Sequence, residues 1–304
     1  MRLWANSEAA DDQAGQQGDF TLHSEVRLVL LDVSVTKDGG FVTDLSKENF
    51  TVLEDGVPQH ISVFDHNDAP VTCGLIVDES RSMTPKRQDV VAAATAFIEA
   101  SNPQDEIFVL NFNDTVKRGL PGDVLFSDDI AQLQSALYRG VPEGKTALYD
   151  AVLDGLQQLE LGKQDKKTLV VVSDGGDNAS VHTRREMFDQ VQRSVATIFA
   201  IGLYDPDDPD HDLGVLKELA HISGGEAYFP QNPPETIPIC RRIAKDIRSR
   251  YTLGYHPEPG KIRLRHIEVR ASSAGHGKLS VRARRSYWYE DSNANAAKPA
   301  QTLD

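Results

Sequence analysis

Between Val71 and about Arg250 the chain alternates short apolar runs with stretches of helical period, and nothing else in it constrains the fold as strongly. Strand-length runs separated by helices are the signature of βαβ units around a parallel sheet. The runs read as strands are "TCGLIVD", "EIFVLNF", "KTLVVVSD", "ATIFAIGL" and a short "EAYFP". "CGLIV" and "TLVVV" are continuously apolar, as strands covered by helices on both faces must be. The helices include "PKRQDVVAAATAFIEAS", with Pro85 suited to a first turn, and "TALYDAVLDGLQQLEL", with Leu148, Val152, Leu156 and Leu159 on one face. "LGVLKELAHIS" ends at Gly224-Gly225, and "PETIPICRRIAKDIRS" forms the last helix. The expected fold class is α/β, a doubly wound, mostly parallel, Rossmann-like sheet.

The flanks have a different pattern. Residues 22 to about 68 read as β: "EVRLVLLDVSV", a turn at "KDGG", a helical turn capped by Ser46, then "FTVLEDG" and "HISVFDH" joined through Asp55-Gly56. After the core, "RYTLGYHP", "KIRLRHIEVRAS" and "KLSVRARRSYWY" return to that pattern, so Tyr251, Tyr255, Tyr287, Trp288 and Tyr289 are read as sheet packing. An all-β segment of about 45 residues is near the lower limit for independent stability. The two flanks are therefore expected to pair into one small β-sandwich-like domain, with the α/β core inserted between them. The expected organisation is a disordered lead-in at 1–20, a β segment at 21–69, the α/β domain at 70–250, a second β segment at 251–290 and a disordered tail at 291–304.

Charge and composition exclude several function classes. With 46 Asp+Glu against 32 Lys+Arg, a formal charge of −14 and no basic stripe, nucleic acid is excluded as a partner. The basic run "RRIAKDIRSR" is read as the solvated face of one helix. No segment is long and apolar enough to span a bilayer; the best candidate, "VRLVLLDVSV", is short and contains Asp32. Cys73 and Cys240 are the only cysteines, so at most one bridge can form, and their apolar settings favour two buried free thiols.

Ligands of an open parallel sheet bind beyond the carboxyl ends of its strands. Asp78 ends the first core strand, in "CGLIVDESRSM", and Asp174 ends "KTLVVVSD" just before Gly175-Gly176, where the chain can turn sharply. The two carboxylates are expected to face one crevice, with Thr146 brought to it by the loop "EGKTALYD". The spacing Asp-x-Ser-x-Ser sets Asp78, Ser80 and Ser82 on one side of an extended turn and directs Glu79 and Arg81 away. Two carboxylates and three hydroxyls form an all-oxygen set, suited to a hard divalent cation, Mg²⁺ first with Mn²⁺ or Ca²⁺ as alternatives, and poorly suited to zinc. The plainer alternative makes Ser80, Ser82 and Thr146 helix caps and leaves Asp78 and Asp174 as solvated strand-end residues.

No catalytic constellation emerges, and no catalytic residue is assigned. There is no Gly-x-Ser-x-Gly nucleophile elbow, and "DESRSM" lacks the glycines and lysine of a P-loop. His211 and His221 do not fit a zinc spacing. His182, in "GGDNASVHTRRE", can approach the crevice, but nothing in the sequence orients it.

Together "LIVDESRSM", "GKTALYDAV", "VVVSDGGDN" and "LKELAHISGGEAYF" resemble a von Willebrand factor A-type domain with a metal-ion-dependent adhesion site, over about residues 70 to 250. The flanks, with "VTKDGGFVTDLSKENFTVLEDGVPQHISVF" before the core and "RYTLGYHPEPGKIRLRHIEVR" and "LSVRARRSYWY" after it, resemble those of von Willebrand factor A-related proteins abundant in acidobacteria. The resemblance implies that Ser80, Ser82 and Thr146 coordinate the metal directly, and that Asp78 and Asp174 do so directly or through water. It implies a non-enzymatic, adhesion-type module, in which an exposed Asp or Glu of a protein partner completes the coordination and Glu79 and Arg81 line the partner-binding rim. A metal-dependent phosphatase or esterase using the same site is the alternative. Arg81 departs from the small residue often found between the two serines, which puts partner choice in question. The family's usual role at surfaces implies a periplasmic or extracellular protein exported from a longer precursor.

Overall fold

The structure is a computed structural model that describes residues 28–203, 212–260 and 263–289. The expected lead-in, the expected tail and His211 lie outside the described residues.

In chain order the first flank contributes β1 (Val29–Lys37), β2 (Gly40–Phe41), β3 (Phe50–Glu54), β4 (Val57–Gln59) and β5 (Ile61–Asp65). The core follows with β6 (Val71–Asp78), α1 (Arg87–Ala100), β7 (Glu106–Phe112), β8 (Val116–Arg118), α2 (Ile130–Tyr138), α3 (Leu148–Leu159), β9 (Lys166–Ser173), α4 (Arg184–Arg193), β10 (Thr197–Gly202), α5 (Leu213–Ser223), β11 (Ala227–Tyr228) and α6 (Thr236–Arg248). The second flank adds β12 (Tyr251–Tyr255), β13 (Arg263–Ala271), β14 (Ser280–Arg282) and β15 (Ser286–Tyr289).

The core sheet runs β11-β10-β9-β6-β7-β8, parallel throughout except for β8. Every residue of β6 is buried, which accounts for its unbroken apolar run: helices cover both faces of its sheet. One helix group packs α1 against α2 and α6, and another packs α4 between α3 and α5. Cys73 on β6 and Cys240 on α6 are both buried and unbridged.

Strands from both flanks share two antiparallel sheets. One runs β14-β1-β12-β5 with β2 on β1, and the other β15-β13-β3-β4. Between them lies a separate apolar core built on Leu31, Val33, Val52, Leu253 and the fully buried Tyr251 and Tyr255. Both buried phenols find acceptors: Tyr251 donates to the Val42 carbonyl at 3.0 Å and Tyr255 to Glu54 at 2.6 Å.

Three details depart from the sequence reading. Asp55-Gly56, with φ of 48° and 83°, forms a hairpin turn into β4 rather than into "HISVFDH", which crosses to the other sheet as β5. The run "KLSVRARRSYWY" breaks into β14 and β15, one in each sheet; the intervening Arg284 donates to the Gln192 and Ser194 carbonyls at 3.1 and 2.8 Å, and Arg285 N donates to the Ile222 carbonyl at 3.4 Å. The segment "RRIAKDIRSR" is not a simple solvated face. Asp246 is 0% exposed and Arg250 3%, and they pair at 3.2 Å. Arg250 also donates to the Gly224 carbonyl at 3.0 Å, and Arg282 reaches Asp246 at 2.5 Å, so this cluster ties α6 and α5 to the flanking strands.

Candidate metal centre

The sheet order reverses at β6: α1 leads from it to β7 on one side, and β9 lies on the other. The carboxyl ends of β6 and β9 thus bound the crevice where an open parallel sheet binds its ligands. Asp78 is the last residue of β6, and Asp174 follows the last residue of β9.

Both acids are buried, at 2% and 3% exposure, and both are held by neutral donors. Asp78 accepts from Ser80 N at 2.8 Å through Oδ1 and from the Ser173 hydroxyl at 2.6 Å through Oδ2. Asp174 accepts from Gly176 N at 3.1 Å and from the Ser82 hydroxyl at 2.5 Å. The Ser80 and Ser82 hydroxyls lie 3.1 Å apart, so the alternation Asp-x-Ser-x-Ser does gather its side chains with Asp174. The turn after Asp174 needs glycine: Gly175 has φ 85°, and a Cβ there would sit 2.3 Å from the Asp212 carbonyl oxygen.

Main-chain bonds stitch the Thr146 loop to the loops on either side. Glu143 N donates to the Glu79 carbonyl at 2.9 Å, Arg81 N to the Gly144 carbonyl at 3.4 Å, and Asn178 N to the Thr146 carbonyl at 2.9 Å. Asn178 Oδ1 also accepts from Thr146 N at 2.9 Å, so the buried Thr146 is anchored through its backbone.

The capping alternative does not describe these hydroxyls. Ser80 precedes the short 3₁₀ segment Arg81–Lys86 without a side-chain cap bond, and the residue capping α3 is Ala147 rather than Thr146. Nor are the acids solvated. Burial, followed by the nearby Asp174 charge, pushes Asp78 up to about 7, and the donations from Ser173 and Ser80 only partly offset this.

These donors fit a hard divalent cation. They are all oxygen, and the two buried negative groups are compensated only by hydroxyl and amide dipoles. Among the described residues no group of three or more His, Cys, Asp or Glu side chains could hold a metal.

Of the two expected rim residues, Arg81 is exposed beside the centre. Glu79 is not on the rim. It is 3% exposed and turns inward to an ion pair with Arg87, because Gly140 leaves room for its carboxylate. Asp150 and His182 form a pair missed in the sequence. Asp150, in the first turn of α3, accepts from Val181 N at 2.8 Å, from His182 N at 3.0 Å and contacts His182 Nδ1 at 2.8 Å. The hydrogen bond to Asp150 raises the pKa of His182, which is exposed. A histidine and an acid 32 residues apart carry no local signal of this pairing.

Residues 74–176 match the family model of the von Willebrand factor type A domain. An uncharacterized protein of Synechocystis is 23% identical over 176 residues, which cover 57% of this chain and 41% of that protein. This chain therefore spans only about two fifths of the curated relative's length. Among solved structures, a von Willebrand factor type A protein from Catenulispora acidiphila superposes with a TM-score of 0.53 at 14% identity, covering 89% of this chain and 76% of that one. Proximal thread matrix protein 1 from the mussel byssus, with zinc occupying its MIDAS motif, gives a TM-score of 0.51 at 15% identity, covering 66% and 50%. At such identities the likeness establishes the fold. Among the described residues no helix is long and apolar enough to cross a membrane. The matched segment runs from β6 to the turn after Asp174, and over that segment the chain is similar to the von Willebrand factor type A domain.

Proposed function

We propose that this protein is a non-enzymatic, divalent-cation-dependent protein-binding module, and that Asp78, Ser80, Ser82, Thr146 and Asp174 hold the cation. One observation carries the reading: two buried carboxylates converge with neutral donors alone around them. A bound divalent cation would supply a Lewis-acidic contact for an oxygen ligand. Ser173 and Gly176 orient the two carboxylates, and Ser80, Ser82 and Thr146 contribute oxygen without charge. So few direct charges leave the centre attractive to an Asp or Glu side chain of a partner. Modules of this family typically mediate metal-dependent protein interactions, which supports the same reading.

Mg²⁺ is the proposed ion, with Mn²⁺ and Ca²⁺ as alternatives. Zinc in the mussel protein's MIDAS motif makes Zn²⁺ the competitor to include. Calorimetry with each ion should find one site, weakened about ten-fold or more in Asp174→Ala, as loss of a ligand or of its orienting contacts commonly does. Unchanged affinity in that variant would refute the assignment.

The oriented Asp150–His182 pair favours one second reading, a metal-dependent phosphatase or esterase with His182 as base. Turnover of p-nitrophenyl phosphate or acetate that disappears in both His182→Ala and Asp78→Ala would replace the binding reading. Export to the periplasm or cell exterior is part of the proposal, and recovery of the native protein in the cytoplasmic fraction would contradict it.

A further inference from the structure

Beside the metal loops lies a cavity of about 160 Å³ whose chemistry the metal centre does not use. Its lining includes Glu79, Asn111, Lys117, Arg118, Arg139 and Glu143. Glu79 joins it directly to the centre, standing between Asp78 and Ser80 and bonding through its backbone to Phe112 O at 2.7 Å and Glu143 N at 2.9 Å. Arg87 neutralises the Glu79 carboxylate and is itself held by the Tyr138 carbonyl at 3.1 Å. A Cβ on Gly140 would lie 2.4 Å from that carboxyl carbon, so a glycine is required for Glu79 to fold beneath the cavity.

With Glu79 neutralised, the remaining lining charges are Lys117, Arg118 and Arg139 against Glu143. All three cations are exposed, and none forms an ion pair with a carboxylate within 4 Å among the described residues, although the Asp154 carboxylate lies within electrostatic reach of Arg118. Exposed Arg81 and Lys145 add to them on the metal loops, while Asp114, packed against Gly144, opposes. A local excess of cations stands out on a chain whose formal charge is −14. Asn111, whose Nδ2 donates to the Ala136 carbonyl at 2.9 Å, forms the buried floor of the cavity.

We propose that this cavity is a second anchoring point for the partner, an acidic segment that places one carboxylate at the metal centre and another against Lys117, Arg118 and Arg139. The proposal rests on the metal-dependent binding reading and names its partner chemistry. The basic subsite would select among acidic partners, and rim charges of this kind act on encounter and specificity more than on raw affinity.

The test uses the full chain in Mg²⁺ with two fluorescein-labelled peptides, hexaglutamate and a Gly/Ser peptide carrying one glutamate, read by anisotropy. The wild type should bind hexaglutamate more tightly. The combined substitution Lys117→Gln, Arg118→Gln, Arg139→Gln should cost about ten-fold for hexaglutamate, since exposed charge pairs contribute a few-fold each. It should also abolish the preference between peptides, flatten the salt dependence and leave calorimetric Mg²⁺ affinity unchanged. Failure of hexaglutamate to bind, or equal affinity in the triple variant, would overturn the proposal. If EDTA and Asp174→Ala abolish binding while the triple variant does not, the cavity fails and the metal reading stands. Loss in the triple variant alone, with EDTA without effect, would leave an acidic-segment site independent of any cation and overturn both the two-point proposal and the metal reading.

Discussion

Buried carboxylates are treated in opposite ways in the flanking domain with its junction and at the ligand-binding edge of the core sheet. At the junction of α6 with the flanking sheets, Asp246 is surrounded by Arg250 and Arg282; burial would raise its pKa, but the two guanidinium groups outweigh burial and hold it below the usual range. Glu54, deep in the flanking sandwich, is likewise met by Arg265 at 2.5 Å and by the Tyr255 and Tyr287 hydroxyls. For Asp78 and Asp174, at the carboxyl ends of β6 and β9, the chain supplies no such cation. Asp78 is left high, at about 7, with a second acid beside it. A chain that neutralises its buried acids from within where it joins domains, and leaves a pair unneutralised at the ligand-binding edge of its sheet, is consistent with the proposal that a cation from solution neutralises that edge.

The largest expected effect comes from breaking the neutralised region. Arg250→Ala leaves Asp246 buried with Arg282 alone and removes the bond to the Gly224 carbonyl, and should cost about 3 kcal/mol in urea unfolding. A loss under about 1 kcal/mol would mean that the junction does not depend on internal neutralisation. Gly175→Ala strikes the other region. It forces an L side chain to φ 85° against the Asp212 carbonyl, and should cost about 2 kcal/mol and weaken Mg²⁺ binding because Asp174 moves with the turn. Intact Mg²⁺ affinity in a destabilised variant would detach the turn from the centre.

Sequence reading reached these two regions unequally. β6, β7, β9 and β10 were legible because a strand buried on both faces is continuously apolar, and α5 because Gly224 stops it where the apolar period ends. Asp78, Ser80, Ser82 and Asp174 were legible because a two-residue alternation beyond a strand fixes which side chains share a side. The pattern reading omitted α2 and α4. α4 is polar over most of its length, with only Met187 and Val191 buried. The inward turn of Glu79 depends on Arg87 and on Gly140, about sixty residues away in sequence, and the burial of Arg250 on the Gly224 carbonyl and the Asp32 carbonyl of β1. Long-range electrostatic partners of this kind have no period. For the same reason β14 and β15 looked like one strand: both alternate, and only contacts with α4 and α5 separate them.

Asp105, another buried acid, sharpens the comparison with a smaller effect. Asp105 accepts from Val71 N at 2.9 Å and Asn102 N at 2.8 Å, and burial, partly offset by the Val71 amide, pushes it up to about 6. The folded protein keeps that proton to about pH 6, whereas the unfolded chain releases it near about pH 4. The folded state thus binds more protons within that window, and stability should fall as pH rises through it, by on the order of 1 kcal/mol. Asp105→Asn should flatten the slope of urea stability between pH 4.5 and 6.5, whatever its effect on absolute stability. An unchanged slope would show that burial does not hold the Asp105 proton, the Val71 amide and the nearby Arg248 charge together offsetting it.

The central claim, that the edge of β6 and β9 carries charge reserved for an external cation, is tested most directly by thermal unfolding of the wild type and Asp78→Asn in EDTA and across a Mg²⁺ titration. At pH 8, above the raised pKa of Asp78, removing one of two uncompensated buried charges should leave Asp78→Asn at least as stable as the wild type in EDTA. Mg²⁺ should then raise the wild-type midpoint progressively, corresponding to about 2.7 kcal/mol at a hundred times its dissociation constant, while the midpoint of Asp78→Asn stays where it was. A variant that is less stable than the wild type in EDTA, or that Mg²⁺ stabilises equally, would contradict the account.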